Sequence, residues 1–267
     1  MRNRLRTLLA EGQPCIGAQM RSGSPALAEL FGCAGFDYLV FDAEHAPQTP
    51  PMILAQIQAL ASTSATPIIR VPGNDPSQFG IYLDMGAGGI LAPLVKTPEE
   101  VEAGARACRY PPAGSRGYGP DRADRYGFDT DYFDEANDNV LYMAIIETAE
   151  AVDAIDEIMA VDGLDTYFVG PFDLSIALGV PRQFDHPRFV EAVEKVFAAA
   201  QRAGKPAGVN PDIGADATAS LAEPLGRGYR MVLVDGDVWM LEAATRNVIG
   251  AFSAANWSTT KRSMRRY

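Results

Sequence analysis

Residues 140–179 decide the fold, and they read VLYMAIIETAEAVDAIDEIMAVDGLDTYFVGPFDLSIALG. Two strand-like runs, Leu141–Ile146 and Thr166–Val169, flank a segment with the apolar spacing of a helix. A strand, a helix and a strand in this order predict a βαβ unit, whose two strands are parallel neighbours. The first strand ends directly at Glu147, and the second leads through a Gly-Pro-Phe turn to Asp173. We therefore expect both carboxylates at the same edge of the sheet.

Glu147 and Asp173 could share one cation, because neighbouring strands lie ~4.8 Å apart. Hard divalent cations such as Mg²⁺ take oxygen ligands, typically one or two carboxylates with water or substrate completing the shell. Each acid also has a structural alternative, since Glu147 could cap the helix that it precedes and Asp173 could cap a turn. The two residues alone leave both interpretations open.

The rest of the chain repeats this alternation of strand and helix. Apolar runs rich in Val, Ile and Leu are typical of strands that are buried on both faces of a parallel sheet. Strands are predicted at 14–20, 37–42, 66–71, 88–94, 140–146, 164–169, 206–209 and 229–234. Helices are predicted at 5–12, 24–35, 50–61, 74–86, 97–109, 187–203 and 238–251, and between strands five and six. Eight βα units predict a single-domain (β/α)₈ TIM barrel over residues 1–255, with a basic, polar tail at 256–267.

A doubly wound sheet is the alternative architecture. It is disfavoured because no GxGxxG fingerprint follows the first strand. The GAGG sequence at 86–89 precedes a predicted strand instead of opening a helix, so it predicts a turn.

Composition excludes several classes of partner. A net charge of −11 argues against nucleic acid or an anionic membrane. The three cysteines are widely spaced and form no CxxC motif, which favours buried thiols in a reducing compartment. The first residues, MRNRLRTLLAEGQ, lack an apolar run long enough for a signal sequence, and no segment approaches the length of a membrane span. We expect a cytoplasmic protein.

Polar side chains gather where the predicted strands end, and barrel active sites lie at that rim. The candidates are Gln19, Arg21, Asp42, Glu44, His45, Arg70, Glu147, 170–173, Asn210 and Asp235. His45 directly follows a buried strand and imidazole exchanges protons near neutral pH, so it is a candidate base. His186 precedes a helix, where a capping or surface role is expected. Arg70 could pair with Asp42 across adjacent strands, face developing negative charge, or do both.

Six motifs in order resemble the HpcH/HpaI family of metal-dependent aldolases. They are FDYLVFDAEHAPQ, PIIRVPGNDP, LDMGAGGILAPLV, RYPPAGSRGYG, IETAEAVDAIDEI and VGPFDLSIALG. The family cleaves 4-hydroxy-2-oxo acids, or relatives such as 2-keto-3-deoxyglucarate, to pyruvate and an aldehyde. The resemblance implies a (β/α)₈ barrel that forms a homo-oligomer, a hexamer or trimer, with the last helix often exchanged between subunits.

The same resemblance implies roles for individual residues. It makes Glu147 and Asp173 ligands of Mg²⁺, Mn²⁺ or Co²⁺, His45 the base, and Arg70 the stabiliser of an enolate. Asp84 would raise the basicity of the histidine, yet the predicted topology puts it at the opposite rim, so it would serve a neighbouring subunit or a structural role. The remaining implied residues are Asp42 as a supporting acid and the substrate-binding segment Gly170, Pro171, Phe172 and Asp173.

Two departures from the family pattern lie beside the implied metal ligands. Ile145 replaces a frequent glutamine, which removes a side-chain contact to pyruvate, and Phe172 replaces a small residue, which adds bulk. Two other functions stay open. An acyl-CoA lyase of the citramalyl or malyl type would need a basic groove, for which Arg116, Arg122 and Arg125 could supply charge. A catalytically inactive binding barrel is the second.

Overall fold

A computed structural model describes residues 3–213 and 216–254. The tail predicted at 256–267 lies outside the described residues, and so does residue 255 at the predicted end of the barrel. In the described part of the chain, no helix combines the length and apolar character that crossing a lipid bilayer requires.

Eight parallel strands form one sheet in the order β6-β5-β4-β3-β2-β1-β8-β7. They are β1 Cys15–Met20, β2 Tyr38–Asp42, β3 Thr66–Arg70, β4 Gly89–Ala92, β5 Leu141–Ile146, β6 Thr166–Val169, β7 Gly208–Val209 and β8 Met231–Val234. A parallel bridge between Tyr167 and Ala207 brings β6 to the edge of β7. The predicted TIM barrel is therefore confirmed, and the doubly wound alternative is excluded.

Helices follow the strands and pack around them. They are α1 Arg4–Ala10, α2 Pro25–Ala34, α3 Pro50–Leu60, α4 Phe79–Asp84, α5 Pro98–Ala107, α6 Tyr132–Asn139, α7 Ala149–Asp153, α8 Ile155–Met159, α9 Pro171–Ala177, α10 Pro187–Arg202, α11 Ala217–Arg227 and α12 Asp237–Ala254. Local sequence fixes several starts, since the side chains of Ser24, Thr97 and Thr148 each accept a bond from a backbone N–H of the first turn.

Three details of the predicted pattern are wrong. The single helix expected between β5 and β6 is two short helices, because Ala154 leaves helical geometry at φ −93° and ψ 22°. Asp173 lies in the first turn of α9 and not after a turn, since Pro171 supplies the preset φ of a first helical residue. The helices α6, α9 and α11 were not predicted.

Apolar side chains fill two layers. One layer fills the space between the sheet and the helices. The other lies inside the barrel, where buried side chains of alternating strand positions meet, among them Val40, Ile68, Met143, Phe168 and Leu233. This inner layer supports the carboxyl ends of the strands, where the candidate residues lie.

Helix α12 differs from the others because its apolar side chains face outward. Val238, Met240, Leu241, Val248, Ile249 and Phe252 are between 40% and 67% exposed. Its first residue, Asp237, is only 1% exposed and anchors it to the barrel. Exchange of this helix between subunits stays a prediction, and the exposed apolar side chains are compatible with it.

Candidate active site

Glu147 occupies the position that the sequence predicts, directly after β5. It is 6% exposed, and its Oε1 accepts a hydrogen bond of 2.7 Å from the N–H of Leu94, which follows β4. A Cβ atom at Gly170 would lie 2.1 Å from Oε2 of Glu147, so the end of β6 approaches this carboxylate as closely as only glycine allows. The ends of three neighbouring strands therefore enclose one carboxylate.

Burial raises the pKa of Glu147 to about 7, although the bond from Leu94 opposes the shift. The charges of Glu44 and Asp173 raise it further. Glu44 in turn has a raised pKa, first because of burial, and Asp42 and Asp173 contribute while Arg70 and His45 oppose. The fold thus places Glu44 and Asp173 close enough to Glu147 to raise its pKa, although the sequence assigned no role of its own to Glu44.

The donor set fits a divalent cation. Four carboxylates (Asp42, Glu44, Glu147, Asp173) and two guanidinium groups (Arg21, Arg70) leave an excess of two negative charges around the mouth. Within the described residues, no group of three or more His, Cys, Asp or Glu side chains is placed to enclose an ion. Glu147 and Asp173 are close enough for the charge of Asp173 to raise the pKa of Glu147, and a carboxylate pair fits a divalent cation whose other ligands are water or substrate.

Asp42 and Arg70 form the ion pair considered from the sequence. Strand register places them opposite each other on β2 and β3. Arg70 donates from Nε and Nη2 to the two carboxylate oxygens of Asp42, at 2.9 and 2.6 Å. Burial raises the pKa of Asp42, but the hydrogen bond and charge of Arg70 outweigh it and hold the pKa below its usual value. Arg70 is thus a fixed cation at the site.

His45 lies at the mouth with a side chain that is 55% exposed. Its Nε2 is 3.6 Å from Oε2 of Glu44, and its backbone N–H donates to Oδ1 of Asp42 at 3.1 Å. Its ring is therefore accessible to a substrate from the open end of the barrel. His186 caps α10 instead, where its Nδ1 accepts a bond from the N–H of Arg188. The capping role expected for His186 is confirmed.

The structure does not bring Asp84 to this cluster. It ends α4 and pairs with Arg116 at 2.6 Å, on the side where the strands begin. A cavity of about 620 Å³ opens at that end, lined by Arg116, Arg122, Arg125 and the starts of β3 and β4. A role for Asp84 in the site of a neighbouring subunit stays a prediction.

The predicted substrate-binding segment offers fewer donors than its length suggests. The N–H of Gly170 already bonds the carbonyl of Ile146, and proline at 171 has no N–H. Phe172 and Asp173 lie in the first turn of α9, whose N–H groups have no partner inside the helix. Phe172 is 56% exposed and packs edge to face against Phe184, with ring centroids 5.3 Å apart.

Sequence reasoning gave no role to several residues that the structure places at the site. Gln19 donates to Asp42 at 3.3 Å, and Arg21 lies 3.4 Å from the same carboxylate. The sequence did indicate their location, because both residues come at the end of the predicted first strand. Leu94 could not have been found, because nothing in a leucine codes for its positive φ of 55° or for its backbone bond to Glu147.

An eight-stranded barrel with buried carboxylates, a fixed arginine and an exposed histidine at its C-terminal mouth defines a barrel enzyme. Residues 17–225 match the family described as HpcH/HpaI aldolase/citrate lyase. A 5-keto-4-deoxy-D-glucarate aldolase of Shigella dysenteriae is 37% identical over 251 residues, which cover 94% of this chain and 96% of the relative.

Solved structures agree with the sequence match. An HpcH/HpaI aldolase/citrate lyase family protein from Burkholderia cenocepacia superposes with a TM-score of 0.87 at 33% identity, covering 94% of this chain and 99% of that one. The HpcH/HpaI aldolase of Desulfitobacterium hafniense gives 0.86 at 32%, covering 93% and 96%. The chain belongs to the HpcH/HpaI aldolase/citrate lyase family, and it is a carbon–carbon lyase of the aldolase class.

Proposed function

We propose that this aldolase cleaves a 4-hydroxy-2-oxo acid, reversibly, to pyruvate or a close 2-oxo acid and an aldehyde, with a divalent cation as cofactor. One observation carries the proposal, the convergence of Glu147, Asp173, Arg70 and His45 at one mouth of the barrel. Because a relative is named for 5-keto-4-deoxy-D-glucarate, a sugar-derived 2-oxo diacid is the first substrate to test.

Glu147 and Asp173 would hold the cation, which is Mg²⁺, Mn²⁺ or Co²⁺. When bound, such an ion supplies Lewis acidity toward the 2-oxo group and the carboxylate of the substrate. The protein prepares this position through the N–H of Leu94, which fixes one oxygen of Glu147. Burial and the neighbouring carboxylates of Glu44 and Asp173 disfavour the charged form of Glu147, and a cation would offset that repulsion.

His45 and Arg70 have separate roles in the proposed cleavage, proton transfer and stabilisation of the enolate. His45 takes the proton from the 4-hydroxyl group, directly or through a water molecule, and the O–H electrons form the aldehyde carbonyl as the C3–C4 bond breaks. The bonding pair remains on the 2-oxo acid as an enolate. The Arg70 guanidinium, held by Asp42, faces that charge without having to reorient. A proton from solvent water adds to C3 to complete pyruvate, and His45 releases its proton to solvent.

The basic groove that the acyl-CoA lyase alternative requires is not formed by the three arginines considered for it. Arg116 pairs with Asp84, and Arg122 donates to the carbonyl of Met85 at 2.8 Å. Together with Arg125, they line the cavity at the opposite end of the barrel from Glu147. None of the three is placed to bind a CoA phosphate at the mouth.

The test is an aldol addition with a panel of aldehydes, pyruvate and Mn²⁺, with citramalyl and malyl thioesters assayed for cleavage in parallel. We expect product with free 2-oxo acids, loss of activity after chelation, and recovery with added Mn²⁺, Mg²⁺ or Co²⁺. Full activity in the chelated enzyme would contradict the proposed dependence on a divalent cation. Turnover of thioesters alone would favour the lyase alternative, and a flat calorimetric titration with Mn²⁺ would favour an inactive barrel.

Schiff-base catalysis is the other chemistry that barrel aldolases use, and it needs a desolvated lysine at the mouth. Of the four lysines, Lys96 alone lies near the catalytic rim among the described residues, but its side chain is 51% exposed and its Nζ is 3.9 Å from Oε1 of Glu150. Lys195 and Lys205 donate to backbone carbonyls elsewhere, and Lys261 lies outside the described residues.

We therefore predict that Lys96→Ala keeps most of the activity, within about threefold, and that borohydride with pyruvate traps no adduct. Mass spectrometry of the borohydride-treated protein checks this. A pyruvate-sized mass increase on Lys96 would overturn the metal mechanism.

We also propose a homo-oligomer, a hexamer or trimer, located in the cytoplasm and without nucleic acid or membrane as a partner. The exposed apolar residues of α12 support the oligomer. The acidic net charge argues against nucleic acid or an anionic membrane as a partner.

A further inference from the structure

We propose that Arg21 is a positioning residue that holds the peptide of His45 in place and ties it to the start of helix α12. The inference rests on the proposed function, in which His45 is the base. It concerns a side chain that follows β1 and that the proposed mechanism does not use.

The backbone of Arg21 is anchored to α12. Its N–H donates to Oδ1 of Asp237 at 2.9 Å, and the N–H of Ser22 donates to Oδ2 at 3.0 Å. The hydroxyl of Ser22 also donates to Oδ2 of Asp237. Because Asp237 is 1% exposed, the loop after β1 and the first residue of α12 form one rigid junction.

The guanidinium of Arg21 reaches from that junction into the site. Its Nη2 donates to the carbonyl of His45 at 2.7 Å, and its Nε lies 3.4 Å from Oδ2 of Asp42. Its carbon Cζ lies 4.9 Å from the centre of the Trp239 ring, a cation–π contact with the first turn of α12. The guanidinium of Arg21 therefore contacts α12 through Trp239 and the loop after β2 through the carbonyl of His45.

The peptide groups of His45 are consequently held from two directions. Asp42 accepts from its N–H at 3.1 Å, and Arg21 donates to its C=O. The imidazole itself is more than half exposed, and its contact with Glu44 at 3.6 Å is long. The position of the ring thus depends on the backbone beneath it, and a displacement of about 1 Å can cost ~10²-fold in rate.

A second role for Arg21 would be direct binding of a substrate carboxylate. The geometry favours positioning, because Nε and Nη2 both face protein acceptors and the ring of Trp239 is stacked on the guanidinium. The two roles differ in kinetics. A group that binds substrate equally in the ground and transition states changes KM, whereas a group that positions the base changes kcat.

The test is a double-mutant cycle of Arg21→Met with His45→Ala, measured on retro-aldol cleavage by the metal-loaded protein. Methionine keeps an unbranched apolar side chain and removes the guanidinium with its charge. We expect Arg21→Met to lower kcat about 10- to 100-fold with KM changed less than threefold, and to have no further effect once His45 is alanine. Mn²⁺ affinity by calorimetry should not fall, since Glu147 and Asp173 are untouched and the substitution removes a positive charge from the mouth.

Variants at Trp239 test the link to α12. Trp239→Phe should keep kcat, because a ring remains under the guanidinium, whereas Trp239→Leu should lower kcat severalfold in the wild-type background and not in Arg21→Met. Met240→Leu, on the exposed side of the same turn, is the matched control. Arg21→Lys should recover part of the loss, and with the Trp239 pair it carries the test if Arg21→Met does not fold.

Each outcome decides one point. Unchanged kcat in Arg21→Met, an equal loss in the presence and absence of His45, or a rise in KM alone would overturn the positioning role. If His45→Ala itself keeps full activity, the proposed base is wrong and the inference falls with it. A low rate in His45→Ala together with a normal rate in Arg21→Met contradicts the inference only.

Discussion

Glu147→Gln is expected to abolish detectable cleavage and to weaken Mn²⁺ binding by more than ~10²-fold, since even residues that only orient metal ligands change affinity 10- to 100-fold. The amide fills the same space and can still accept the bond from Leu94 through its oxygen, but it removes one of the two carboxylates that would bind the ion. Asp173→Asn should give a similar loss. Isothermal calorimetry with Mn²⁺ and a coupled pyruvate assay measure both effects.

The fold should survive the substitution. Glutamine at 147 removes a buried negative charge from a cluster that already has an excess, so the metal-free variant should melt at or above the wild-type temperature. Glu150→Gln, three residues further along and exposed, is the matched control and should bind Mn²⁺ normally. Wild-type metal affinity in Glu147→Gln would remove Glu147 from the proposed metal site.

The sequence predicted the barrel because its strands are apolar on both faces and its helix starts are marked. Capping residues such as Ser24 and Thr97, each followed by proline, identify the first helical residue without tertiary information. The rim residues could be predicted as well, since topology alone places the ends of parallel strands at one edge. Glu147 and Arg70 lie where that rule puts them.

What could not be predicted depends on contacts across the chain. Helix α6 buries only Ala136, and α11 contains Pro224, a residue that argues against a helix interior when only the sequence is considered. The roles of Glu44 and Arg21 arise from distances to Arg70, His45 and Asp42 that no local pattern contains. Asp84 had a partner available in its own chain, Arg116, which only the folded structure reveals.

His45→Ala is expected to slow retro-aldol cleavage by ~10²–10⁴-fold, the usual contribution of a general base. The effect should be selective, because His45 acts on the 4-hydroxyl group and not on the enolate. Exchange of the pyruvate methyl protons with D₂O, followed by NMR, should therefore fall much less than cleavage. His186→Ala, at the cap of α10, is the matched control and should leave both rates near wild type.

Arg70→Ala should damage both reactions, because cleavage and exchange pass through the same enolate, and the loss of one preorganised cation costs ~10²–10³-fold. This variant also leaves Asp42 buried without its bidentate partner, and breaking a buried ion pair typically costs ~3–5 kcal/mol of stability. Arg70→Lys keeps the charge but not the paired bonds to Asp42, so it separates charge from geometry. If folded Arg70→Ala exchanges pyruvate protons at the wild-type rate, Arg70 has only a structural role.

Parallel losses of cleavage and exchange in His45→Ala would instead mean that His45 acts on the enolate and not on the hydroxyl group.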